Sequence, residues 1–149
     1  MRAFQFRLRA VLAVRRRAED ERAGALAERV RARDAAAGRV HVLDDATDEA
    51  REKVAEAATT GTSGAELRSL ASGVEATWRA RDRARARLLE AVRSEETARA
   101  QLVEAAQARR ALEKLEARQR AQHVADAQRA EQRELDDIGT SMGAEQGHA

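Results

Sequence analysis

Residues 67–112 read LRSLASGVEATWRARDRARARLLEAVRSEETARAQLVEAAQARRAL, and the spacing of their apolar side chains decides the fold. With Leu67 as an a position of a heptad, the a and d sites fall on Leu67, Leu70, Val74, Thr77, Arg81, Ala84, Leu88, Ala91, Glu95, Ala98, Leu102, Ala105, Arg109 and Leu112. Ten of these fourteen are apolar. Such a sustained three-four alternation in so charged a stretch is the signature of a helix that packs along a narrow seam. The proline-free periodic segment extends over 65–138, and at ~1.5 Å per residue it makes a helix on the order of 110 Å long. A helix of that length does not fit inside a small globule.

The composition of the 149 residues points the same way. Hydrophobic residues reach 43% but are mostly alanine, and the aromatic side chains are only Phe4, Phe6 and Trp78, whereas charged residues make up 36%. Long helices laid side by side have this balance, and layered domains do not. The formal net charge is +2, with Lys53 and Lys114 the only lysines, so global charge says little about partners. Local charge says more: residues 1–31 hold nine arginines against four acids, and residues 34–66 hold eight acids against three bases. The absence of cysteine removes disulfide scaffolds and thiolate zinc sites and suits a reducing cytoplasm. The run AVLAV at 10–14 is too short and too quickly followed by Arg15, Arg16 and Arg17 for an export signal, and no window approaches the ~20 apolar residues of a membrane span.

Outward from the seam, a first helix is expected over about 4–58. Leu8, Leu12, Arg15, Glu19, Arg22 and Leu26 keep a four-three stripe flanked by Val11, Ala18 and Ala25. After Val30 the phase drifts, and Val40, Leu43, Thr47, Ala50, Val54 and Ala57 set up a new one, so a bend or weak point is expected near Gly38. Residues 59–64, TTGTSG, are the turn formers between the two periodic segments. Gly61 can take the left-handed conformation that closes a helix, and Ser63 with Glu66 can form a capping box for the next. A phosphate loop is excluded because no strand precedes the run and no lysine follows its second glycine. A turn centred at 61–62 pairs residues whose numbers sum to about 123, which sets Leu8 against Leu115, Leu12 against Ala111 or Leu112, Leu26 against Ala98, and Val54 against Leu70. The expected fold is an all-α, long antiparallel two-helix coiled-coil hairpin over 1–138, with helix two over about 65–138 and a disordered tail at 139–149.

Catalytic chemistry is not encoded. His41, His123 and His148 lie far apart, with His123 read as a solvated or seam-edge residue. Asp44, Asp45, Asp48 and Glu49 lack the loop geometry of a calcium site and read as a solvated acidic face. No nucleophile sits beside a base, and a two-helix hairpin offers no concave pocket. Neither a cofactor nor a metal is expected. Arg79, Arg81, Arg83, Arg85 and Arg87 spread around the helix with no aromatic residues for base stacking, which argues against nucleic acid. An interaction protein remains. Arg81, Glu95 and Arg109 weaken its seam, and Trp78, one place off that seam, either covers it or serves as a binding hot spot.

Both ends of the chain resemble one family. Phe4-x-Phe6-x-Leu8 followed by Val11-Leu12, Arg15 and Glu19 is similar to the opening of the flagellar export protein FliJ family. ALEKLEAR at 111–118 and RAEQRELDDI at 129–138 are similar to that family's most recognisable segment. The resemblance implies a cytoplasmic, non-enzymatic coiled coil of the flagellar type III export apparatus, similar to the gamma subunit of rotary ATP synthases and peripheral at the cytoplasmic face of the inner membrane at the flagellar base. It implies binding to the hexameric export ATPase FliI, contact with the export gate FlhA, and contact with export chaperones. On that reading Arg7, Arg15, Arg16, Arg110, Lys114 and Arg118 present charge to the ATPase, and Phe4, Phe6, Leu8, Leu12, Leu112 and Leu115 pair the helices. Trp78 stands in the middle region, where the family uses aromatic residues toward the gate. The alternatives are a self-associating structural coiled coil and the stalk of a non-flagellar type III system.

Overall fold

The computed structural model describes residues 3–145, with side chains for residues 3–138, and consists of two long helices, α1 (Arg9–Thr60) and α2 (Gly64–Glu145), packed against each other as an all-α hairpin. Alanine, leucine, arginine and glutamate are strong helix formers, and no proline interrupts either run. Gly61 closes α1 at φ 78°, a left-handed conformation that glycine adopts without steric cost, while the Thr62 N–H donates to the Ala57 carbonyl across the end of the helix. The Ser63 hydroxyl accepts the Glu66 N–H at 3.3 Å, one half of the expected capping box, and starts α2.

Two boundaries differ from expectation. α1 begins at Arg9 because Phe4 to Leu8 form an irregular lead-in; the Arg9 N–H bonds the Phe6 carbonyl, and the first helical bond runs from Leu12 to the Leu8 carbonyl. α2 runs on to Glu145, beyond the expected end at Ile138, since nothing in the sequence there stops a propagating helix and a glycine costs it only ~1 kcal/mol. The remainder of the expected tail, residues 146–149, lies outside the described residues.

The chain divides into two compact units, unit 1 (Met1–Glu19 with Glu104–Ala149) and unit 2 (Asp20–Val103). All fourteen seam positions expected on α2 are buried or half-buried. On α1 the a positions do not change phase. Leu12, Glu19, Leu26, Arg33, Val40, Thr47 and Val54 recur every seven residues and are all at least half-buried. The a positions stay continuous through Arg33, and the helix passes through Gly38 unbroken, while the position that accompanies them inward changes from Ala18 and Ala25 to Ala36, Leu43 and Ala50. In its first half, Ala18 and Ala25 turn inward while Arg15 and Arg22 stay exposed, because desolvating a guanidinium costs more than burying an extra methyl gains.

Thr47 and Glu95 survive in the seam because each is satisfied, whereas the buried Arg81 Nε has no hydrogen-bond partner and only the Asp44 carboxylate 3.9 Å away. Thr47, only 1% exposed, donates its hydroxyl to the Leu43 carbonyl at 2.7 Å. Glu95, 6% exposed, accepts from Arg33 at 3.1 Å and Arg99 at 2.7 Å. The register is offset from the simple turn-centred one. Arg22 with Gln101 falls on it, but Arg33 meets Glu95 and Asp44 meets Arg85, each about five residues further along α2 than a sum of 123 requires. Helical side chains lean toward their own N-terminus, away from the turn on α1 and toward it on α2. Both leanings raise the residue numbers that meet.

Candidate functional site

The lead-in to α1 organises unit 1. Phe6 is buried, and Phe4 packs edge-on against His123 at 5.7 Å with the Arg120 guanidinium 5.6 Å from its ring centre. His123 is thus half-buried as an aromatic partner of Phe4, a role foreshadowed only by the heptad, which continued from Leu67 puts it at an a position. Next along the pair, Arg109 bonds Glu19, and Arg16 bonds Glu113 at 3.1 Å. The Arg109 hydrogen bond holds the Glu19 carboxyl below its ordinary range, with Arg109 raised in return by the same bond.

Of the residues expected to pair the helices, Phe6 and Leu12 are buried and Phe4 and Leu112 half-buried. Leu8 and Leu115, expected face to face, are each 37% exposed and sit at the seam's edge, as the register offset requires. Arg7, Arg15, Arg16, Arg110, Lys114 and Arg118 are all exposed and all belong to unit 1. Arg16 is tied to Glu113; Arg7, Arg15, Lys114 and Arg118 have no ion-pair partner among the described residues.

Unit 2 has two unlike flanks. On one, which carries the e positions of both helices, Arg51 lies over Trp78 at 5.3 Å, and Arg85 bonds Asp44 at 3.0 Å. Asp44, expected in a solvated acidic face, is therefore a half-buried bridging group, with Arg81 3.9 Å away on its other side. Beside Trp78, itself 38% exposed, an apolar depression of about 460 Å³ is lined by Val54, Ala71 and Val74 with Arg51 and Glu75 at its rim. The opposite flank carries the g positions and is built of small residues, among them Ala32, Ala46, Gly73, Ala80 and Ser94. Three shallow cavities of about 240, 180 and 250 Å³ follow one another along it.

Among the described residues no three His, Asp or Glu side chains are grouped as metal ligands, and no helix is long and apolar enough to cross a membrane. These surfaces can bind protein by apolar contact and charge. No match was found among curated proteins or among solved structures. The model of the flagellar FliJ protein family, however, matches residues 4–147, nearly the whole chain and both terminal motifs. The chain therefore belongs to the flagellar FliJ protein family, whose members are non-enzymatic components of flagellar type III protein export and so of motility.

Proposed function

We propose that this protein is a coupling component that binds the hexameric export ATPase FliI through unit 1, promotes its assembly and activity, and links it to the export gate FlhA and to export chaperones at the cytoplasmic face of the membrane. The observation that carries this reading is the cluster of exposed cations in unit 1. Arg7, Arg15, Arg110, Lys114 and Arg118 surround a pairing held by buried Phe6 and Leu12, so their charge is offered outward and not spent on the seam. A basic surface of this kind steers association with an acidic ring lining and fixes its orientation. Trp78, with its apolar depression, is the candidate contact for the gate, since a half-exposed tryptophan over a shallow hollow has the character of a binding hot spot.

Charge reversal tests the ATPase contact. Arg15→Glu with Arg118→Glu leaves the helical content unchanged, because neither side chain has an ion-pair partner among the described residues, and abolishes co-elution with the ATPase hexamer on size exclusion. Retained co-elution would contradict the reading. A stable self-oligomer of the unmodified protein that ignores the ATPase would favour the structural coiled coil instead.

A further inference from the structure

The g flank of unit 2 differs from a merely solvated face in two independent ways. Its small residues leave shallow hollows beside the d positions of the seam, so that buried Leu43 and Ala84 line one cavity, Leu70 and Ala50 a second, and Ala91 a third. On a closed coiled coil, flanking side chains cover the seam from both sides. Here the cavities continue along α1 from Arg29 to Lys53, about three heptads, which is the length over which one further helix could lie in the groove.

The second observation is charge. Arg29, Arg39, Arg83 and Arg87 line these cavities, are exposed, and have no hydrogen-bond or ion-pair partner among the described residues. Across the hairpin, Arg51, Arg85 and Arg99 on the e flank are each engaged by Trp78, Asp44 and Glu95. Two acids share the open rim: Glu49 is taken by Lys53 at 2.7 Å, and Glu90 lines the same cavity as Arg29 and Arg87. A cationic surplus remains beside cavities of which the outer two are mainly apolar.

We infer that this groove is a docking site for an acidic amphipathic helix of a partner protein, which completes a three-helix arrangement over unit 2. Small and medium apolar side chains of the partner enter the three cavities, and its carboxylates meet Arg29, Arg39, Arg83 and Arg87. A second copy of this chain is a poor occupant. A two-fold interface would set the same arginines against one another, because an isologous contact presents the same patch twice. Nucleic acid fits poorly as well, since the two outer cavities are mainly apolar and none of the three is lined by an aromatic residue for stacking.

The test uses the full chain and two synthetic helical peptides about three heptads long. Both carry alanine and leucine at a and d; one has glutamate and the other lysine at e and g. The glutamate peptide is expected to bind, with affinity reduced at least about tenfold by Arg39→Glu with Arg87→Glu and unchanged by Arg51→Glu on the other flank. Ala80→Leu, which fills the middle cavity, is expected to weaken that binding by a similar factor while raising the melting temperature, so that loss of folding cannot explain the result. Equal binding of the lysine peptide, indifference to Ala80→Leu, a concentration-dependent self-oligomer lost in Arg39→Glu, or a duplex DNA complex that competes for the site would each overturn the inference. None of these outcomes depends on the ATPase contact of unit 1.

Discussion

The two flanks of unit 2 are built on the same pair of helices and differ only in which side chains stand beside the seam. On the e flank, long side chains fold inward: Arg51 onto Trp78, Arg85 onto Asp44, Arg99 onto Glu95. On the g flank, alanine, glycine and serine leave shallow cavities beside the seam, and Arg29, Arg39, Arg83 and Arg87 have no ion-pair partner among the described residues. A coiled coil whose seam is largely alanine buries little area. It takes much of its cohesion from the side where large residues close over it, and the other side remains open to a partner.

The largest effect should come from breaking the closed side at its centre. Glu95→Ala leaves Arg33 and Arg99 without the carboxylate that joins them, and we expect a loss of about 2 kcal/mol in chemical denaturation. Replacing Glu95 and Arg33 together by leucine should recover that loss or exceed it, since two apolar groups pack where two charges had to be desolvated. Trp78→Ala should cost about 1–2 kcal/mol, less than a fully buried aromatic because the ring is 38% exposed. On the open side the sign reverses: Gly73→Ala, whose added methyl meets nothing within 4 Å, should stabilise by about 0.5–1 kcal/mol.

The smallest effect separates unit 1 from both flanks by pH. The folded pKa of Glu19 is depressed by its bond from Arg109, so the stability it contributes is present above pH 4.5 and is lost as pH falls through the lower folded value. In thermal melts followed by circular dichroism, Glu19→Gln should be less stable than the unmodified protein at neutral pH. The two should converge in acid below pH 4.5.

How much of this was legible beforehand follows from what periodicity reports. Positions filled by leucine, valine or alanine announced the seam of α2, and all fourteen lie where the heptad puts them. Where a seam position holds arginine, as at Arg33, a hydrophobic pattern goes silent, and continuous a positions read as a change of phase. The offset in register could not be read from apolar spacing either, because it comes from the direction in which side chains lean. The aromatic clip of Phe4 on His123 is visible in the sequence only as two residues 119 places apart. What joins them is the continuation of the heptad to an a position held by a histidine.

The basic surface of unit 1 carries the central claim, and the rate of ATP hydrolysis by the cognate export ATPase, measured with and without this protein, tests it most directly. We predict that the protein raises the rate and that Arg15→Glu with Arg118→Glu, still fully helical, does not. Stimulation that survives this double reversal, or no stimulation by the unmodified protein, would contradict the claim.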